Sequence, residues 1–165
     1  GRGARILTKR SGSPLLKTSL KQGVNMENYQ ELVSAAVSAR EMAYTPYSHF
    51  KVGAALLSKS GKLYKGCNIE NAAYTPTNCA ERTAFFKAVS EGELAFECIA
   101  IVGGRGDTLE ELCPPCGVCR QVMMEFCDPD RFKIILGTPE KWNVYTLREL
   151  LPFGFGRINL EKDHD

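Results

Sequence analysis

Three cysteines and one glutamate carry the chemistry that this sequence can do. They lie in Cys79-Ala80-Glu81 and in Pro115-Cys116-Gly117-Val118-Cys119. Two cysteines separated by two residues present both sulfurs to one ion from a single turn, and a third cysteine from elsewhere supplies three of the four positions of tetrahedral zinc. The fourth position is then open to water, which distinguishes a catalytic zinc from a closed structural one, and water held there ionises far more readily than in bulk. Glu81 stands two residues from Cys79, near enough to exchange protons with that water without ligating the metal. Both cysteine segments are expected to open helices, where free N–H groups and the helix dipole favour thiolates. Three thiolates on a divalent ion leave a net charge of −1, which weakens its Lewis acidity unless a cation stands close. Arg82 is the candidate.

Each piece alone has a plainer reading. Glu81 can pair with Asn78 in a helix cap, Cys116 and Cys119 can be a redox dithiol, and Cys79 can be a small buried hydrophobe. Their conjunction favours metal. Cys113-Pro114-Pro115-Cys116 is a second pair with the same spacing, so Cys113 could compete for the ion or close a structural site as a fourth ligand. The prolines restrict the loop that holds Cys113, whereas Cys119 follows Cys116 by one helical turn, so Cys116 and Cys119 are the expected ligands.

The elements that must position these groups follow from periodicity. Leu32, Ala35, Ala36, Ala39 and Ala43 recur at helical spacing over 27–42. Segments 50–57 and 62–67 read as a hairpin across Ser58-Lys59-Ser60-Gly61. Residues 79–90 return to helix, 97–102 form a strand ended by Gly103-Gly104, and 105–115 are a loop. A helix over 117–126, strands over 132–136 and 142–146, and a helical turn over 147–151 complete the order. Strands alternating with helices after an initial hairpin predict a mixed sheet covered by helices on both faces.

Composition bounds the class. At 165 residues, 44% hydrophobic and 24% charged, the chain has the size of one globular domain. No apolar stretch approaches the roughly 20 residues of a membrane span, and no secretory signal is visible, so the expected compartment is the cytoplasm. An odd count of seven cysteines there suits thiols or metal ligands better than disulfides. The formal charge of +2 hides an asymmetry: residues 1–25 carry six Lys or Arg and no acid, and the remainder holds fifteen basic against nineteen acidic residues. That slightly acidic body lacks the basic footprint of a phosphate-backbone binder, so a nucleic-acid partner is not expected. Residues 1–25 are read as a basic leader, either an appended segment or a transit peptide, and 26–165 as a single domain.

The stretches Tyr47-Ser48-His49-Phe50-Lys51-Val52-Gly53-Ala54-Ala55-Leu56, Gly66-Cys67-Asn68-Ile69-Glu70-Asn71-Ala72-Ala73-Tyr74 and Asn78-Cys79-Ala80-Glu81-Arg82-Thr83-Ala84 resemble the small zinc-dependent cytidine deaminases over residues 27–155. The resemblance implies a three-layer α/β/α domain around a five-stranded mixed sheet, and a homotetramer whose active sites are completed by neighbouring subunits. It implies one zinc ion per chain on Cys79, Cys116 and Cys119, proton transfer by Glu81, and hydrogen bonds from Arg82 to the ligand sulfurs. It implies a free nucleoside substrate held by Phe50 stacking on the pyrimidine, Asn68 and Glu70 on the ribose hydroxyls, and further contacts from Asn71, Tyr74 and Ala80. Leu150-Leu151-Pro152-Phe153-Gly154-Phe155 is similar to the family's C-terminal stretch, in which Phe155 would reach the neighbouring substrate, with Phe153 as the alternative. Phe50 and Tyr74 also read as packing residues, and His49 reads as structural. Three rivals remain at this point: a structural zinc module using Cys113, a nucleic-acid-editing deaminase, and a thiol redox protein.

Overall fold

Apolar residues crowd the central strands without alternating with polar ones, because both faces of the sheet are covered. The computed structural model describes residues 26–160, and the expected leader at 1–25 lies outside the described residues. Helix α1 is Met26–Arg40. Strands β1 (Phe50–Ser58) and β2 (Leu63–Cys67) follow, then α2 (Ala80–Ser90), β3 (Phe96–Arg105) and α3 (Gly117–Phe126). Strands β4 (Lys133–Thr138) and β5 (Lys141–Thr146) and the short helix α4 (Leu147–Leu150) complete the layers.

The sheet runs β2-β1-β3-β4-β5. The pairs β1/β2, β1/β3 and β4/β5 are antiparallel and β3/β4 is parallel, so the sheet is mixed, as the sequence predicts. A parallel pair needs a crossover, and α3 provides it. Period-two alternation sorts the strand side chains between two cores. Ala55, Leu57, Cys98, Ala100, Val102 and Ile135 pack with Leu32, Val33 and Ala36 of α1. Ala54, Leu56, Ile99, Ile101, Ile134 and Leu136 face the other way, against Ala84, Phe85 and Ala88 of α2 and Met123 of α3. The result is the expected α/β/α sandwich.

Two glycines bring elements close enough to build the site. A Cβ on Gly66 in β2 would strike the backbone of Ala80 and Ala84, so only glycine lets the start of α2 lie directly on the sheet. Gly103 corrects an expectation. Gly103-Gly104 does not end β3; the strand continues to Arg105, with Gly103 opposite Val52 and Gly104 opposite Lys51. A Cβ on Gly103 would overlap Cys113 Sγ and lie 3.1 Å from Phe50 Cε1. The glycine marks a close approach within a strand rather than its end.

Arg40, which the periodicity assigns to nothing in particular, is 2% exposed at the end of α1. Its guanidinium donates to the carbonyls of Lys51, Gly104, Gly106 and Thr108, at 3.2, 3.0, 2.6 and 2.8 Å. It thereby fixes the turn that leads from β3 toward Cys113 and Cys116.

Candidate active site

Cys79 is the N-cap of α2 and Cys116 the N-cap of α3. Both have extended backbone and neither side chain caps its helix, so both sulfurs are free to meet something else. The helix-capping alternative for Glu81 and Asn78 does not hold: Asn78 instead donates to Thr83 Oγ1 at 3.1 Å. Cys119 lies in the first turn of α3, its side chain buried. The sulfurs of Cys79 and Cys116 are 3.7 Å apart and those of Cys116 and Cys119 are 3.6 Å apart, and all three lie within 4.8 Å of one another. Tetrahedral zinc with Zn–S bonds of about 2.3 Å separates its sulfurs by about 3.8 Å. The donor set and its spacing therefore fit zinc. Cys113 is outside this group.

Charge in the trio is unevenly held. Cys79 is drawn down to about 5, first by a hydrogen bond from the Cys119 thiol and then by the Arg82 guanidinium and Cys116, against the effect of burial. Arg82 donates to Cys79 Sγ at 3.4 Å. Cys119 moves the opposite way, because it donates to that thiolate and is buried. Burial also keeps Cys113, Cys98 and Cys127 as neutral thiols, with Cys113 pushed up to about 12.

Glu81, in the first turn of α2, is 4% exposed. Removal from water lifts its carboxyl from 4.5 to about 7, with the nearby Cys79 adding to the shift and its own N–H, Cys119 and Arg82 opposing it. A carboxyl balanced near neutrality both accepts and returns a proton readily.

The predicted substrate residues fall into connected groups. Ala80 is fully buried at the start of α2, beside Glu81. Phe50 shares the surface of Gly103 with Cys113, whose thiol in turn feels Glu81 and Cys79. Asn68 accepts from Val52 N at 2.8 Å and donates to Phe50 O at 2.8 Å, so its amide holds the entry of β1 in place. Glu70 accepts from the N–H groups of Tyr47 and Ser48 at 2.9 and 3.2 Å, and its carboxyl sits below the usual range, chiefly through a hydrogen bond from Ser48. Tyr47, Ser48, Glu70, Tyr74 and Thr77 line a cavity of about 390 Å³. Asn71 Oδ1 accepts from Ala73 N at 2.9 Å and so shapes the turn that carries Tyr74.

Tyr74 is 75% exposed with φ 58°, and His49 has φ 56°. Left-handed backbone at a bulky residue is strained by roughly 1–2 kcal/mol, and of the two, Tyr74 lines the Glu70 cavity, while His49 directly follows Ser48 of its lining. Phe155 belongs to a third place, a C-terminal arc on α3, where its carbonyl accepts from Gln121 Nε2 at 2.8 Å. Phe153 on the same arc is 100% exposed and Phe155 58%.

Fold and site together define a zinc-dependent hydrolytic centre on an α/β/α sandwich. Comparison with known proteins agrees. The family model described as the cytidine and deoxycytidylate deaminase zinc-binding region matches residues 26–135. A cytidine deaminase of Halalkalibacterium halodurans is 53% identical over 127 residues, 76% of this chain and 92% of that protein. One of Sporosarcina psychrophila is 48% identical over 131 residues, 79% of this chain and 93% of that protein. The crystal structure of cytidine deaminase from Burkholderia pseudomallei, 43% identical, aligns with a TM-score of 0.70 over 80% of this chain and 100% of that one. The chain belongs to the zinc-dependent cytidine deaminase family.

Proposed function

We propose that this protein hydrolyses the 4-amino group of cytidine and deoxycytidine, releasing ammonia and leaving uridine and deoxyuridine. The observation that carries the reading is the buried Glu81 carboxyl, poised at about 7 beside three convergent sulfurs. Cys79, Cys116 and Cys119 would hold zinc, which when bound would supply the Lewis acidity that lets water ionise near neutral pH. Glu81 takes a proton from the attacking water and passes it to ring N3, which makes C4 electrophilic as the water oxygen adds there. Glu81 then carries the proton remaining on the added C4 hydroxyl to the amino group, and the C4–N bond breaks as the C4 carbonyl forms and ammonia leaves. Arg82 offsets the negative charge of the sulfurs.

Phe50 stacks on the pyrimidine in this reading. Glu70 has acceptor capacity beyond its two N–H partners and receives a ribose hydroxyl, and Asn68 offers the remaining hydrogen-bonding positions of its amide to the other. Asn71 and Tyr74 close the cavity and the start of α2 at Ala80 borders the base. The acting unit is the domain 26–165, assembled as a homotetramer in which Phe155 of one subunit completes the neighbouring site. It works in the cytoplasm without a nucleic-acid or membrane partner. Among the described residues no helix is long and apolar enough to cross a membrane.

The deciding experiment is ultraviolet-monitored turnover of cytidine by the chain and by Glu81→Gln, with zinc quantified in both and subunit number measured by light scattering. Turnover lost in the variant with about one zinc per chain retained supports the assignment. Zinc binding without turnover of either nucleoside by the unmodified chain refutes it, and full activity in a monomer refutes the shared site.

A further inference from the structure

Arg120 stands one turn into α3, its N–H donating to Cys116 O at 3.0 Å. Its side chain turns back rather than out. Nε donates to Pro115 O at 2.8 Å, and a terminal nitrogen donates to Leu150 O at 2.6 Å. Pro115 immediately precedes the ligand Cys116, and Leu150 is the last residue of α4, where carbonyls have no partner within the helix. One planar cation thus ties the peptide that sets a ligand to the peptide that starts the C-terminal arc.

The next residue holds the other end. Gln121 Nε2 donates to Phe155 O at 2.8 Å, so consecutive residues of α3 pin the arc 150–155 at both ends. Its middle lies against the same helix, since a Cβ on Gly154 would come within 3.0 Å of Met124 Sδ. The backbone of the arc is anchored on α3, while the rings of Phe153 and Phe155 are left exposed. A rigid backbone bearing unpacked aromatics delivers them to a fixed position outside the chain.

We infer that Arg120 is a positioning residue that couples the metal loop to the C-terminal arc, so that zinc occupancy sets the placement of the aromatics the arc presents. The proposal rests, for its consequence in turnover, on the shared-site reading given above. The coupling itself does not. Coupling is reciprocal: if the zinc-loaded loop steadies the arc, the arc steadies the loaded loop.

The test uses full-length, zinc-loaded protein and four variants: Arg120→Gln, Arg120→Lys, Gln121→Ala and Phe155→Ala. Zinc release to a chelator, hydrogen exchange at the Leu151 and Gly154 amides, and kcat and KM for cytidine are measured for each. In the unmodified chain, stripping zinc is expected to speed exchange at these amides on the order of tenfold, the scale of one hydrogen bond to a charged group. In Arg120→Gln that exchange is already fast with zinc bound and insensitive to its removal, zinc release is faster by a similar factor, and KM rises. Arg120→Lys, which keeps the charge in a conservative variant, behaves like Arg120→Gln because one ammonium does not span both carbonyls. Gln121→Ala raises KM and leaves zinc release unchanged. The same zinc-dependent exchange in Arg120→Gln as in the unmodified chain, full rescue by lysine, or zinc release altered equally by Gln121→Ala overturns the coupling. An unchanged KM in Phe155→Ala defeats the shared-site reading instead, while zinc release and exchange still decide the role of Arg120.

Discussion

Replacing Glu81 by Gln should stabilise the zinc-free chain at alkaline pH while sharply reducing turnover by the loaded enzyme. Burial lifts the carboxyl from 4.5 to about 7 in the folded chain. Each pK unit corresponds to about 1.4 kcal/mol, so keeping this group ionised inside the fold costs about 3 kcal/mol. The folded state binds the proton more tightly than the unfolded one. The penalty is therefore absent below about 4.5, where both states are protonated, grows as pH rises toward 7, and is complete above it. Glutamine has nearly the same shape and never ionises. Urea denaturation of both zinc-free proteins at about pH 5 and about pH 8.5 should show the variant's advantage widening by about 2–3 kcal/mol across that interval. With zinc restored, the variant should hold about one ion per chain, and kcat should fall by a factor on the order of 10² to 10⁴. A stability difference that stays constant or narrows as pH rises would refute the buried, raised carboxyl, and with it the physical basis for Glu81 as proton carrier.

Arg40→Met should destabilise the chain by about 3 kcal/mol in urea, because it removes the cation shared by four backbone carbonyls in a buried position; a loss under about 1 kcal/mol would mean water replaces it. Gly103→Ala should cost about 1–3 kcal/mol through overlap with Cys113 Sγ. Adding Cys113→Ala to that variant should recover about 1 kcal/mol in a double-mutant cycle, and strictly additive losses would place the two side chains apart. Cys113→Ser should retain about one zinc per chain by metal analysis, since Cys113 lies outside the three-sulfur group; release of the metal would restore a four-ligand structural site.

The order of elements was legible because its signals are local. The apolar run 97–102 and the helical segments that follow Cys79 and Cys116 predict the strand and the two helix starts that the structure contains. What escaped depends on contacts between distant segments. Gly103-Gly104 reads as a strand end because a glycine pair is a common break, and only the sulfur of Cys113, ten residues beyond Gly103, shows why the strand needs a missing Cβ. Arg40 and Arg120 draw no reading from the sequence, since a lone arginine on a helix is usually exposed. Their acceptors are carbonyls, which carry no sequence identity, so no pattern of residue types could announce them. Asn68 illustrates the opposite limit: its residue type signals hydrogen bonding, yet its partners in the chain are the backbone of Val52 and Phe50.

The site combines demands that conflict within any single element. Thiolates are favoured where N–H groups and helix dipoles converge, whereas a carboxyl near neutrality requires exclusion from water. Placing Cys79 at the cap of α2 and Glu81 two residues further in meets both demands with one turn of helix, because Cys79 is only partly buried while Glu81 lies in the core. That turn works only if α2 lies directly on β2, which Gly66 permits, and if α3 brings Cys116 to the same spot, which the crossover from β3 to β4 achieves. The sheet order therefore acts on the chemistry through these two helix starts. A change that moves either start by an ångström should impair zinc geometry and proton transfer together.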